Sequence, residues 1–282
     1  KCAKEINSFL CGEYNEEISA LFSCGGGELM CEILDDVDFD KIKKSKPVWF
    51  LGYSDNTNLT FLLPTICDIT AIYSPCAPAY GMEPWHPSLK DTFELLTGKS
   101  NMAHGYDKWE KESVKNEENP LVPYNVTKKT EIKKFGAGKD DAKTEISGRL
   151  IGGCLDCLSN LAGTKFDKVS DFNEKYKEDG IIWFMESCDL NPMAIRRAIW
   201  QLDHAGWFKY VKGFLIGRPL CLDEEILGVD RYNAVYPLLE KYNVPIIMDL
   251  DIGHTAPMMP IVSGAKAEIV VEKNSIKIHY KE

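Results

Sequence analysis

Val48-Trp49-Phe50-Leu51-Gly52-Tyr53-Ser54-Asp55-Asn56-Thr57-Asn58-Leu59-Thr60-Phe61-Leu62-Leu63 is the stretch whose reading decides the fold. Four large apolar residues in a row, the short run of a strand buried on both faces, lead into a polar turn, and the turn leads into apolar positions spaced for a helix. A serine held between strand and helix projects its hydroxyl from a tight turn, with N–H groups of the helix start beside it to stabilise an oxyanion. The same position suits a plain helix cap. Asn56 also stands where an elbow of the Gly-x-Ser-x-Gly type has its second glycine.

The alternation of strand and helix recurs on both sides of this stretch. Ile18 to Ser23, Ile181 to Met185, Gly213 to Ile216 and Ile246 to Asp249 read as further buried strands, while Asn56 to Cys67, Pro192 to Ala205 and Asp230 to Tyr242 have helical spacing. This predicts an α/β fold with mostly parallel sheet, whose ligand sites lie beyond the C-terminal ends of strands. Three further strand ends carry chemistry. Ser23-Cys24-Gly25-Gly26-Gly27-Glu28 lets backbone N–H groups approach a phosphate or an oxyanion, although it lacks the Lys-Ser or Lys-Thr of a phosphate loop; the bland reading is a tight turn. Trp183-Phe184-Met185-Glu186 closes an apolar strand on a carboxylate that must be paired, as a helix cap or as a functional acid. His254 follows Ile246 to Asp249, whereas His86, His204 and His279 fall in a loop, an amphipathic helix and a terminal strand, which makes His254 the best-placed general base.

Ser54, Glu186 and His254 thus come from three strand ends in the order nucleophile, acid, base, and such groups need only converge in space. A metal set of Glu186, Asp249, Asp251 and His254 competes with this reading but has no compact ligand motif.

Composition narrows the function further. The 282 residues suffice for one large or two ordinary domains. A net charge of -10 gives nucleic acid and anionic lipid little to be attracted by, and no apolar run approaches the roughly 18 residues of a membrane span. Ten cysteines without a dense framework point to a reducing, cytoplasmic setting. The close pair Cys154 and Cys157 reads as structural rather than as redox-active or half a zinc site. From about Asn101 to Glu145 the chain turns rich in Lys, Glu, Asp and Gly, which divides it into 1–100, a linker or lid over 101–145, and 146–282. Trp85, Trp109 and Tyr124 near the lid either offer faces to a nucleobase or pack the domain junction. Ala267 to Val271 and Ser275 to His279 read as a closing β-hairpin.

At these residues the chain resembles the LD-carboxypeptidase family of serine peptidases, which includes the microcin C immunity peptidases. The resemblance runs through Ala20 to Glu28, Pro47 to Leu59, Gly148 to Gly153, Leu161 to Thr164, Ile182 to Leu202 and Gly253-His254, and so spans nearly the whole sequence. It implies Ser54 as nucleophile, His254 as base and Glu186 as its orienting acid, with backbone at Gly26 and Asp55 forming the oxyanion hole. Gly25, Gly27, Trp109 and Tyr124 become expected substrate contacts. It further implies an N-terminal Rossmann-like (flavodoxin-like) α/β domain, a C-terminal α/β domain with a β-rich end, and a cytoplasmic homodimer without metal or organic cofactor. The expected substrate is a murein tetrapeptide or a microcin C-like aminoacyl nucleotide. A non-catalytic small-ligand-binding α/β protein is the competing function. The family pattern also places strands before the helix at Lys1 to Leu10, so the sequence is expected to start partway through the first domain. Cys154 stands where relatives often carry Asn, and Leu190 replaces a common acidic residue.

Overall fold

The computed structural model describes residues 1–281. In chain order the first part comprises α1 (Cys2–Leu10), β1 (Ala20–Phe22), α2 (Phe39–Ile42), β2 (Trp49–Gly52), α3 (Thr57–Thr60), β3 (Ala71–Tyr73) and α4 (Pro87–Leu96). It continues with β4 (Met102–His104), β5 (Lys108–Trp109), β6 (Lys128–Lys129), β7 (Lys133–Gly136), β8 (Lys143–Cys154), α5 (Leu155–Leu161) and α6 (Val169–Lys175). The last part holds β9 (Ile181–Glu186), α7 (Pro192–His204), β10 (Val211–Gly217), α8 (Tyr236–Leu239), β11 (Pro245–Leu250), β12 (Ile261–Ser263), β13 (Lys266–Glu272) and β14 (Ser275–Tyr280).

Two sheets carry the site. A four-stranded sheet has the order β1-β2-β3-β12, its first three strands parallel and β12 antiparallel. An eight-stranded sheet has the order β4-β14-β13-β8-β9-β10-β11-β7, with β8 to β11 parallel at its centre and antiparallel strands on both flanks. The parallel strands are the continuous apolar runs of the sequence, as burial on both faces requires; β9 is buried along its whole length.

Two segments depart from the sequence expectation. Residues 101–145 are not simply a linker or lid: β4 pairs with β14 and β7 with β11, so the segment supplies both edges of the large sheet. Its polar composition hid this because edge strands tolerate charge, while Phe135 of β7 stacks on Tyr236 at 4.9 Å. Asp230 to Tyr242 is helical only from Tyr236 onward. The Asp230 carboxylate takes the N–H groups of Tyr232 and Asn233 and closes a local turn instead.

The sheets are joined behind the Ser54 turn. Phe61, just beyond α3, stacks on Trp207 at 5.2 Å, and Trp207 stacks on Trp183 of β9 at 5.6 Å. All three are buried, so truncating Phe61 to alanine would cost about 3–5 kcal/mol. The end of β8 approaches α3 closely because it is glycine: a Cβ on Gly153 would sit 2.5 Å from Thr57 Cγ2. The next residue, Cys154, donates its N–H to Thr57 Oγ1 at 3.0 Å. Among the described residues no helix is long and apolar enough to cross a membrane.

Candidate active site

Ser54 lies just beyond the end of β2, after Tyr53, and has φ 63, a left-handed backbone that a residue with a Cβ adopts only under constraint. Two partners impose it. The Ser54 N–H donates to Tyr73 Oη at 3.2 Å. Asn56 folds back to donate its Nδ2 to Tyr53 O at 3.0 Å and Gly25 O at 2.8 Å, tying the glycine loop to the turn. Gly52 makes room for this, since a Cβ there would come within 2.8 Å of Asn56 Cγ. Asn56, the residue that spoils a Gly-x-Ser-x-Gly match, is therefore the clamp of this turn.

The glycine loop lies against Ser54. A Cβ on Gly26 would stand 3.2 Å from Ser54 Oγ, and one on Gly27 would stand 2.8 Å from an Asp55 carboxylate oxygen. That carboxylate is committed to structure: it accepts from Met30 N at 3.0 Å and Asn58 Nδ2 at 3.0 Å, which leaves the Asp55 backbone, rather than its side chain, available to a ligand. The N–H groups of Gly26 and Asp55 have no acceptor among the described residues.

Glu186 ends β9 with 1% of its surface exposed. Its Oε2 lies 2.8 Å from His254 Nδ1, and its Oε1 accepts from Tyr73 Oη at 2.5 Å. Two glycines clear the space. A Cβ on Gly253 would fall 2.2 Å from Oε2, and one on Gly217 would fall 2.9 Å from the glutamate Cβ. Burial lowers the pKa of His254, but the hydrogen bond and charge of Glu186 outweigh it and hold the imidazole above its usual value. Burial, reinforced by the Glu186 charge, drives the Tyr73 phenol well above its usual value, so it stays a donor. Tyr73 thus links the Ser54 N–H to the acid. Sequence reading missed it; the signal was a lone phenol at the end of a buried apolar run, a group that must find a partner.

His254 opens onto a cleft of about 370 Å³ lined by Gly25, Gly26, Tyr53, Tyr124 and Gly253 among others. The rings of Tyr53 and His254 are 5.0 Å apart. Ser54 Oγ makes no hydrogen bond to the described residues, and with Nδ1 turned to Glu186 the free imidazole nitrogen is Nε2. Gly27 packs on Asp55 outside the cleft lining, and Trp109 requires a correction. Glu110, the residue after β5, lines the cleft, whereas Trp109 of β5 lies in a separate depression with Arg218 and Arg231. Its Nε1 donates to Lys129 O at 3.2 Å and the Arg218 guanidinium lies 5.0 Å from its ring. Trp85 packs edge-on to Tyr80, also outside the lining.

The four-residue metal set does not assemble. Asp249 pairs with Arg231 and Tyr232, and Asp251 with Arg218 and the Tyr106 N–H, away from His254. Cys154, by contrast, ends β8 as the register partner of Glu186.

Comparison with known proteins gives this arrangement its relatives. The LD-carboxypeptidase N-terminal domain matches residues 1–74 and the LD-carboxypeptidase C-terminal domain residues 147–269. The microcin C7 self-immunity protein MccF of Escherichia coli is 27% identical, over 98% of this chain and 77% of its own. A solved structure of MccF in its wild-type apo state superposes with a TM-score of 0.78 at 24% identity, covering 99% of this chain and 80% of that one. The muramoyltetrapeptide carboxypeptidase of Oxalobacter formigenes superposes with a TM-score of 0.71 at 20% identity, covering 99% and 84%. With both domain models matched in order around this cleft, the chain belongs to the LD-carboxypeptidase family and is a serine peptidase of that type.

Proposed function

We propose that Ser54 attacks the carbonyl of a small aminoacyl or peptidyl amide while His254 takes its proton through Nε2. Glu186 holds the imidazole by Nδ1 and stabilises the imidazolium that forms. The oxyanion is met by the N–H groups of Gly26 and Asp55, one from each loop that borders the nucleophile. His254 then protonates the leaving group, and a water activated by the same nitrogen releases the acyl group. The observation that carries this reading is the pairing of a left-handed, clamped Ser54 with a buried Glu186 that is 2.8 Å from His254. The Ser54 to His254 hydrogen bond, absent here, forms when substrate fills the cleft, as is common for serine–base pairs that are open in the free enzyme.

The substrate we favour is an aminoacyl nucleotide, its base lying against Tyr124. Support comes from the cleft, which Tyr53 and Tyr124 line, and from MccF, which has been solved with aspartyl sulfamoyl adenosine and with glutamyl sulfamoyl guanosine. Murein tetrapeptide is the second reading, supported by the likeness to the muramoyltetrapeptide carboxypeptidase. In function the chain divides into 1–100 with the nucleophile and 146–282 with the acid and base, bridged by 101–145. Ten free thiols suit a cytoplasmic enzyme, and the family pattern suits a homodimer. Assaying an aminoacyl-adenylate analogue and an L,D-tetrapeptide side by side tests the substrate. We expect kcat/KM at least about tenfold higher for the nucleotide, and a preference for the tetrapeptide reverses the assignment.

A further inference from the structure

The mechanism leaves one side chain at the site unused. Cys154 Sγ, a Glu186 carboxylate oxygen and one imidazole nitrogen of His254 all lie within 4.8 Å of one another. Among the described residues this is the one group of three His, Cys, Asp or Glu side chains arranged so that it could hold a metal ion. The closeness is built by the fold. Cys154 and Glu186 are opposite each other at the ends of neighbouring parallel strands, and each is only 1% exposed.

The donor chemistry is specific. Sulfur, imidazole and carboxylate together form a borderline-soft set, which suits zinc better than calcium or magnesium. Three protein ligands with a fourth position open is an arrangement that zinc adopts readily, and of the three groups His254 lines the cleft while Cys154 and Glu186 lie buried behind it. Outer partners are present as well. Tyr73 holds the other oxygen of Glu186, and the Asp156 carboxylate, fixed by the N–H groups of Cys188 and Asp189, accepts from Cys154 Sγ at 3.2 Å and is placed to take the thiol proton on its way to solvent.

We propose that Cys154, Glu186 and His254 form an inhibitory site for a thiophilic divalent cation such as Zn²⁺. On binding, the Cys154 thiol gives its proton to solvent and its sulfur bonds the metal, with no change of oxidation state. The imidazole lone pair and the Glu186 carboxylate turn to the metal at the same time. His254 can then neither accept the Ser54 proton nor be steered by Glu186, so hydrolysis stops while the ion is bound. The inhibitory half of this inference rests on His254 being the base; the binding half does not.

The test uses the full chain, stripped with chelator, and reads binding apart from activity. Co²⁺ titrated into the protein should give a thiolate-to-cobalt absorption band that saturates at one equivalent and is displaced by Zn²⁺. Cys154→Ser should abolish the band, and His254→Gln should weaken cobalt binding about tenfold or more. Absence of the band, or its persistence in Cys154→Ser, overturns the site. In the hydrolysis assay, with each protein compared to its own metal-free rate, Cys154→Ser should raise the Zn²⁺ concentration for half-inhibition at least about tenfold. Equal sensitivity of the two proteins overturns the inhibitory role, and Cys154→Ala supplies the same comparison should the serine variant fold poorly. A hydrolysis mechanism that proved wrong would leave the cobalt result intact, so the two failures are distinguishable.

Discussion

The two halves of the site are made in different ways. Ser54 owes most of its geometry to its neighbours in sequence: a four-residue strand ending in Gly52, the left-handed serine itself and the Asn56 clamp lie within eight consecutive residues, with Tyr73 and Gly25 as the distant anchors. Glu186 and His254 are 68 residues apart and meet only because parallel β9, β10 and β11 bring their C-terminal ends to one edge, with Gly217 and Gly253 vacating the space between. The proposed nucleophile is built mostly locally. An acid–base pair of this kind needs the register of a whole sheet.

Breaking the local half should have the largest effect. Ser54→Ala is expected to lower kcat on the preferred amide substrate by about 10⁴-fold or more, because the proposed attacking atom is gone while the proposed oxyanion donors remain. Circular dichroism melting should show an unaltered fold. Full activity in the variant would end the serine mechanism.

Breaking the sheet-built half comes next. Glu186→Gln keeps the shape but removes the charge, and a loss of about 10²- to 10⁴-fold in kcat is expected. The pH profile carries the sharper signature. Wild-type His254 is held above the ordinary imidazole value by Glu186, against the opposing pull of burial. As the proposed base, His254 works only when neutral, so the acid limb of kcat/KM is expected above the pH of an ordinary imidazole and should move to lower pH in the variant. An unmoved limb would mean that another group sets it.

The bridge between the halves should matter less than either. Tyr73→Phe strands both Glu186 Oε1 and the Ser54 N–H inside the protein. A stability loss of roughly 1–3 kcal/mol follows from leaving such groups unpaired, and kcat should fall about 10- to 100-fold as serine and acid lose their shared anchor. Denaturant titration and steady-state kinetics read the two effects separately. Loss of stability with unchanged kcat would make Tyr73 purely structural.

The same contrast explains what the sequence disclosed. The turn at Gly52 to Asn56, the parallel strands and the carboxylate at the end of Trp183 to Glu186 were legible because each is a local pattern of apolar run and punctuation. Tyr73, the facing of Cys154 on Glu186 and the glycines behind the acid were not, since each depends on which strands are neighbours. Residues 101–145 misled for a related reason: charge reads as loop, yet edge strands carry charge too, and only pairing with β14 and β11 reveals β4 and β7.

The smallest effect should fall on Trp109, and it decides how far aromatic residues near a cleft can be read as substrate contacts. Trp109 and Tyr124 looked equivalent in the sequence, yet Tyr124 lines the cleft beside His254 while Trp109 shares a depression with Arg218 and Arg231. With an aminoacyl adenylate as substrate, Tyr124→Ala should lose about 1–3 kcal/mol of stacking and raise KM accordingly. Trp109→Ala should stay within about threefold of wild type, as expected of a side chain that touches no substrate. Measuring both on the nucleotide and the tetrapeptide separates stacking from general disturbance: only a loss confined to the nucleotide, and to Tyr124, fits a base resting on that ring. Equal losses at both positions would mean that the β5–β6 pair and the segment between its strands act on the cleft as one body.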